Sequence, residues 1–405
     1  MERIVVTGLG VLSSIGTTLT DFEAALVAGK SGARPTKGFE TTGYENIQTC
    51  EVQDFDPTAC VEATNPDTLG RSSQFSITAV AQALEDAGLT RADVAGTPIP
   101  VAIGTTDGES QPLDKLAAIW ARDGLDAFDA DLIEQSSAAN LANAVSREFL
   151  LTGPSLTIST ACSAGNYAIG HALDLLREGQ TDIAICGGSD SVCRKTYAGF
   201  SRLGTIAPEK CQPFDANRKG ILTGEGAGIL VLETLTSAKA RGARIYAEVL
   251  GYGLNCDADH MVSPNMDSVA NCIRTALGNA GLDTSQVDYI CAHGTGTVAN
   301  DTTETGAIRK VFGDHTPPVS SIKAMLGHTM GAASAIASIA CILAIRGQFL
   351  PPTINHETVD ADCPVDCVPN TSRTARVRIA QNNGFAFGGN NAITLFGAMQ
   401  EGAMQ

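Results

Sequence analysis

The stretch Ala83-Leu84-Glu85-Asp86-Ala87-Gly88-Leu89 and the stretch Ala276-Leu277-Gly278-Asn279-Ala280-Gly281-Leu282 read almost alike, and that likeness decides the fold. Each closes an apolar-periodic run on a glycine. A short polar segment follows, and then an apolar run enters a loop of small residues. In the first case this is Val101-Ala102-Ile103 before Gly104-Thr105-Thr106, in the second Tyr289-Ile290-Cys291-Ala292 before His293-Gly294-Thr295. Helix, glycine-terminated turn, buried strand and tight loop thus occur twice in one chain.

A second pair of segments extends the duplication outward. Leu156 to Thr160 leads through a glycine-containing turn into an apolar helix ending near Gly179. Val319 to Ile322 leads through Gly327 and Gly331 into another, ending at Gly347. Alternating strands and helices call for a mainly parallel sheet covered by helices, an α/β architecture of two similar halves with chemistry where corresponding strand ends meet. The halves are expected at 1–250 and 251–405. The first carries extra sequence at about 105–153, polar and holding the only tryptophan, Trp120, a candidate cap over the substrate or a dimer contact.

The chain has 405 residues, 43% hydrophobic and 18% charged, room for a large core without a linker-like tract. Its net charge of -17 disfavours nonspecific nucleic-acid binding. The N-terminus enters a β-type run in which no basic and apolar leader is readable, so a cytoplasmic location is expected. The nearly uncharged stretch 327–345 is rich in Gly, Ala and Ser and interrupted by a histidine, so a buried helix is expected there and not a membrane span. Twelve cysteines are scattered singly, without the paired spacings of a zinc site or a disulfide scaffold, so no metal is expected.

Four segments carry candidate chemistry. In Ser159-Thr160-Ala161-Cys162-Ser163-Ala164-Gly165 a cysteine sits between strand and helix, where free N–H groups and the helix dipole favour a thiolate nucleophile. The ordinary alternative is a buried small hydrophobe. In Ala292-His293-Gly294-Thr295-Gly296-Thr297 an imidazole ends a buried strand in a glycine-rich loop, able to address a substrate carbonyl or simply to be satisfied in the core. Lys323 and His328 stand five residues apart across a turn. The run Asn382 to Asn391, with Phe385 and Phe387 among its glycines, lacks the Lys-Ser/Thr ending of a P-loop and fits an apolar gate with backbone donors. Gly8-x-Gly10 is too short for a dinucleotide fingerprint.

Together, Cys162 in its Thr-Ala-Cys-Ser-Ala-Gly setting, His293, Lys323 with His328, and Gly384-Phe385-Ala386-Phe387-Gly388-Gly389-Asn390-Asn391 resemble the β-ketoacyl synthase family. Pro213-Phe214-Asp215, Gly224 to Gly228 and Pro351 to Asn355 extend the resemblance over nearly the whole chain, and to the elongating type in particular. The resemblance implies a thiolase-like, duplicated αβαβα layered fold with two pseudo-equivalent halves, usually a homodimer. It implies that Cys162 takes an acyl group from acyl-carrier protein, with backbone N–H groups of Cys162 and Phe387 as the oxyanion hole. His293 and His328 would hold the malonyl thioester carbonyl during decarboxylation. Lys323 would anchor the group electrostatically, with Glu304 holding it. Thr295 and Thr297 would bind the pantetheine arm, and Phe385 and Phe387 would bound the substrate, Phe387 as the gate. No cofactor is implied, the substrates riding on the carrier's phosphopantetheine.

The sequence also departs from the family. Ala386 stands where the family usually has glycine, which is expected to alter gating. Acidic residues of Gly104 to Ser110 fall near where the family lines its acyl pocket with apolar groups, which points to a changed chain specificity or to a partner-dependent pocket. Of the cations, Arg71, Arg202, Lys210, Arg218 and Lys219 are candidates for docking an acidic carrier. Fatty-acid elongation, a specialised type II polyketide or polyene pathway, and a chain-length-factor-like partner role are the competing readings. The intact Cys162, His293, Lys323 and His328 argue against the last, and His328 in place of a second catalytic cysteine argues against a degradative thiolase.

Overall fold

The structure is a computed structural model describing residues 2–399, so Met1 and the last six residues of the expected C-terminal half lie outside the described residues. Ten strands form its main sheet: β1 (Ile4–Ser13), β2 (Val101–Gly104), β3 (Ser155–Ile158), β4 (Ile183–Asp190), β5 (Gly226–Thr234), β6 (Ala247–Cys256), β7 (Tyr289–Cys291), β8 (Val319–Ser320), β9 (Ile379–Phe385) and β10 (Asn390–Gly397). Their order is β8-β7-β9-β10-β6-β1-β5-β4-β2-β3. Read from either edge inward, the first five strands run 3-2-4-5-1 and the last five repeat that order. Within each half three strands are parallel and the next is antiparallel. The halves join where β1 meets β6 over the pairs Val5↔Glu248 and Val6↔Ala247. Position 250, where the sequence was divided, falls inside β6.

The helices that matter for the site are α1 (Arg71–Asp86), α2 (Ser110–Asp123), α3 (Ala130–Gln135), α4 (Asn140–Phe149), α5 (Ala164–Arg177), α6 (Arg194–Arg202), α7 (Met266–Ala280), α8 (Val298–Phe312) and α9 (Ala333–Gly347). Helices α5 and α9 each touch strands of both halves and form the middle layer, α1 with α4 covers one outer face, and α7 with α8 covers the other. That is the five-layered αβαβα arrangement. The repeated glycine turns do what their sequence promised: Gly281 adopts φ 64° at the end of α7, and Gly88 adopts φ 71° just after α1.

Helix α9 is apolar on all sides because it has no solvent face; Ala333 through Ile345 are all buried. Residues 330–347 are long and apolar enough to cross a membrane, yet 89% of that window is buried inside the protein, as a core helix requires. Its approach to α5 is set by Gly165, where an added Cβ would lie 2.6 Å from the Ala335 backbone nitrogen. Only a residue without a side chain permits that spacing.

The extra sequence at 105–153 divides in two. Helix α4 buries Leu141, Val145 and Phe149 against α1, as α8 packs on α7 in the other half, so it belongs to the duplicated core. Only α2, α3 and their connections are additional. They expose Leu113, Trp120, Leu125 and Ile133, and α2 packs on α6.

Candidate active site

Each candidate segment leaves the carboxyl end of a strand in one of the two parallel triplets, or runs into the middle-layer helix that follows it, so the duplication brings them together. Beyond β3 the chain turns through Ala161, at φ 50°, and enters a short 3-10 turn holding Cys162 before α5 begins. Past β7 it places His293, beyond β8 Lys323 and His328, and at the end of β9 Phe385 and the glycine loop. Cys162, His293, Thr295, His328, Phe385 and Phe387 border one cavity of about 210 Å³, and Thr297 also lines it. Cys162 and His328 are 5% and 2% exposed, whereas Leu203 and Met261 at the same cavity are 50% and 70% exposed. The two imidazoles therefore lie at the deep end with the thiol.

The imidazole rings of His293 and His328 stand 5.4 Å apart at 82°, and His293 meets the Phe385 ring at 5.6 Å. His328 Nδ1 accepts the Met330 N–H at 3.2 Å, a contact reached because Met330 turns through φ 50°. A ring nitrogen that accepts is unprotonated, so the neutral ring carries its proton on Nε2. Both imidazoles are held well below the ordinary histidine range, first by burial and then by the Lys323 charge. The pair consists of neutral rings, and His328 is a donor.

Burial also decides the cysteine. Its thiol is pushed up to about 12, chiefly by desolvation, with the Asp190 and Asp107 charges adding and the Lys323 charge opposing. The expectation that the helix start would favour a thiolate is thus corrected. At this depth the cost of removing a charge from water is the largest influence on the thiol.

Glu304, buried on α8, accepts the His293 and Gly294 N–H groups at 2.8 and 2.7 Å and the Asn383 amide at 2.8 Å. It makes no direct contact with Lys323; its charge reaches the buried lysine through space. Its contacts fix the loop carrying His293. Thr295 and Thr297 bring their hydroxyls to 2.9 Å of each other, and Thr297 also caps α8.

In the glycine loop, Gly388 and Gly389 take φ 82° and 79°, whereas Ala386 is extended at φ -139°. An alanine fits that conformation without strain, so the departure at 386 places no constraint on this state of the loop. The Phe387 ring lies 5.4 Å from Phe200 of α6, and the Gly388 N–H donates to the Met261 carbonyl at 2.8 Å.

The acidic stretch after β2 has local duties. Glu109 accepts the Ser72 and Ser73 N–H groups at 3.3 and 2.7 Å, capping α1, which starts at Gly70 without a capping side chain of its own. Burial lifts its carboxyl to about 7. Asp107 pairs with Lys195 at 3.1 Å and with the Thr196 hydroxyl, while its Oδ2 is buried without a partner. Among the proposed docking cations, Arg71 is spent on Glu225 and Arg218 is buried between Asp301 and Asp360. Lys210 pairs with Glu357. Of the five, Arg202 and Lys219 are exposed, and Arg202 adjoins Leu203 of the cavity wall. Sequence reading missed Asp190 at the end of β4 and Asn383 beside Glu304. A single charged residue closing an otherwise uncharged strand, Asp190 in Ile183 to Asp190, was the available signal.

Against known proteins, the model described as β-ketoacyl synthase, N-terminal domain, matches residues 1–238, and that for the C-terminal domain matches 246–357. The chain belongs to the β-ketoacyl synthase family. It is 38% identical to a 3-oxoacyl-[acyl-carrier-protein] synthase 2 of Synechocystis, over 98% of each chain. It is 36% identical to nodulation protein E of Rhizobium meliloti, over 98% of this chain and 99% of that one. A solved structure titled the ishigamide ketosynthase/chain length factor superposes with a TM-score of 0.97 at 50% identity, covering 98% of this chain and all of that one. The synthase family consists of condensing enzymes of the acyltransferase type, and the C-terminal match ends before Phe385 and Phe387, which only the geometry connects to the cavity.

A buried thiol in this synthase is neutral at physiological pH. Alkylation of Cys162 by iodoacetamide, followed by peptide mass mapping, should rise steadily with pH to about 9.5 without levelling. A plateau near pH 7 would indicate a pre-formed thiolate.

Proposed function

We propose that the chain extends acyl groups by decarboxylative condensation, as a β-ketoacyl-acyl-carrier-protein synthase of the elongating type serving fatty acid biosynthesis. The observation that carries this reading is the convergence of Cys162 with two neutral imidazoles, one with its proton on Nε2, in a cavity lined by Phe385 and Phe387.

In the first step the Cys162 sulfur adds to the acyl thioester of the carrier, and the phosphopantetheine thiol leaves, taking up the proton overall. N–H groups of Cys162 and Phe387, at the starts of their turns, face the oxyanion. In the second, malonyl-carrier protein places its thioester carbonyl against His293 and His328. Carbon dioxide leaves, the electron pair moves into the carbonyl, and the enolate oxygen takes the imidazole N–H groups. The enolate carbon then attacks the Cys162 thioester, forming the carbon–carbon bond and expelling the cysteine sulfur. Neutral donors suit this task, because an imidazolium would have to surrender favourable hydration at a buried site. Lys323 supplies the buried positive charge, and Thr295 and Thr297 offer hydroxyls to the pantetheine arm. The reaction draws its driving force from decarboxylation and uses no dissociable cofactor or metal.

The carrier is acidic, and so is this chain. Arg202 and Lys219, both exposed, with Arg202 next to Leu203 of the cavity wall, are the cations we assign to docking it. The edge strand β3, with Leu156 exposed on it, is the face assigned to a dimer with a second copy or with a chain-length-factor-like subunit. All twelve cysteines are unpaired, which supports a reducing compartment, the cytoplasm.

Intact-protein mass spectrometry with a panel of acyl-carrier proteins should show acylation of the wild type and none of Cys162→Ala. Adding malonyl-carrier protein should release a product two carbons longer. His328→Ala should acylate normally and condense about 10²–10³-fold more slowly. Acceptance of saturated chains supports fatty-acid elongation, whereas restriction to unsaturated or ketone-bearing chains would move the enzyme to a specialised pathway. Reversing the docking charges, Arg202→Glu with Lys219→Glu, should raise KM for carrier-bound substrates in a salt-dependent manner and leave a pantetheine thioester unaffected. Equal effects on both substrates would remove these residues from the docking surface.

A further inference from the structure

One carboxylate behind the cavity binds the machinery of both halves. Asp190, at the end of β4, is fully buried, and each of its oxygens accepts two hydrogen bonds. Oδ1 takes the Thr105 hydroxyl at 2.6 Å and the Asp107 N–H at 2.9 Å. Oδ2 takes the Thr106 N–H at 2.8 Å and the Gly331 N–H at 2.6 Å. Three of these donors belong to the loop after β2. The fourth belongs to the turn that carries His328, and the two backbones are in contact: a Cβ on Gly331 would lie 2.4 Å from the Thr105 carbonyl carbon.

The Gly331 amide directly follows Met330, whose own N–H donates to His328 Nδ1 from a left-handed conformation. Left-handed backbone is unfavourable for a side chain such as methionine and persists only where neighbouring contacts hold it. The Asp190–Gly331 hydrogen bond is the contact next in the chain to Met330. We propose that Asp190 is a positioning residue for His328: by holding the Gly331 amide it keeps the Met330 N–H on Nδ1 and so keeps the proton on Nε2, aimed into the cavity. The role rests on the condensing reading given above. It needs a carboxylate, since an asparagine side chain has one acceptor oxygen, and its NH2 group would face two donors. An unsatisfied amide at this depth would pull the turn apart.

The test uses the full-length enzyme and follows the two steps separately in single turnovers: acylation of Cys162 by acyl-carrier protein, then consumption of the acyl-enzyme by malonyl-carrier protein. Asp190→Asn should acylate no more slowly than the wild type, because the charge it removes is one that raises the Cys162 thiol, and should condense about 10²-fold more slowly, with KM for malonyl-carrier protein unchanged. In a His328→Ala background the same substitution should cost nothing further at condensation, because the two residues act as one unit. Asp190→Glu, which keeps the charge on a longer arm, should show the same split at smaller size and serves if the asparagine variant does not fold. Proportional loss of both steps, an additive loss in the His328→Ala background, or an unchanged condensation rate would overturn the assignment. Failure of the wild type itself to acylate or to condense would instead remove the reading on which it rests.

Discussion

The close approach of α5 and α9 is the constraint on which this molecule depends. Gly165 leaves no room for a Cβ against Ala335, and Gly104 leaves none against the Ala164 backbone at the start of α5. Those contacts draw the middle layer tight and bring the strand ends of both halves to a single point. The thiol then comes from one half and the imidazoles from the other. Neither half alone holds a reactive set, so the duplicated fold is the active-site scaffold as well as the core.

Burial at that meeting point sets the chemistry. It keeps the Cys162 thiol and both imidazoles neutral and depresses the Lys323 ammonium, against the pull of neighbouring charges. The buried acids there accept several donors, which oppose the rise that desolvation gives their carboxyls: Glu304 binds consecutive amides of the His293 loop, and Asp190, lifted to about 7, accepts four donors from two loops. Each loop bearing a histidine is thereby fixed by a buried acid. The acids work on backbone geometry, and the histidines they hold meet the substrate.

Much of this was legible in the sequence because it is written in local patterns. The paired stretches at 83–89 and 276–282 announced the duplication, and the strand-end positions of Cys162, His293, Lys323 and His328 followed from it. The state of Cys162 was not legible, since a helix start argues for a thiolate and only the depth of burial in the folded chain shows that desolvation wins. Glu304 was matched to Lys323 by analogy, yet its oxygens go to amides that no spacing rule reveals. Arg71 and Arg218 looked like surface charge until Glu225, Asp301 and Asp360, distant in sequence, were seen beside them. Helix α4 was hidden inside a polar-looking insertion because its burying partner, α1, lies about sixty residues earlier.

The central claim is that both histidines work as neutral donors. Nitrogen-15 NMR of histidine-labelled enzyme between about pH 6 and 8 tests it most directly, with His293→Ala and His328→Ala assigning the signals. Two imidazoles that stay neutral throughout are expected, His328 as the Nε2–H form. An imidazolium at either position near pH 7, or a His328 proton on Nδ1, would contradict it.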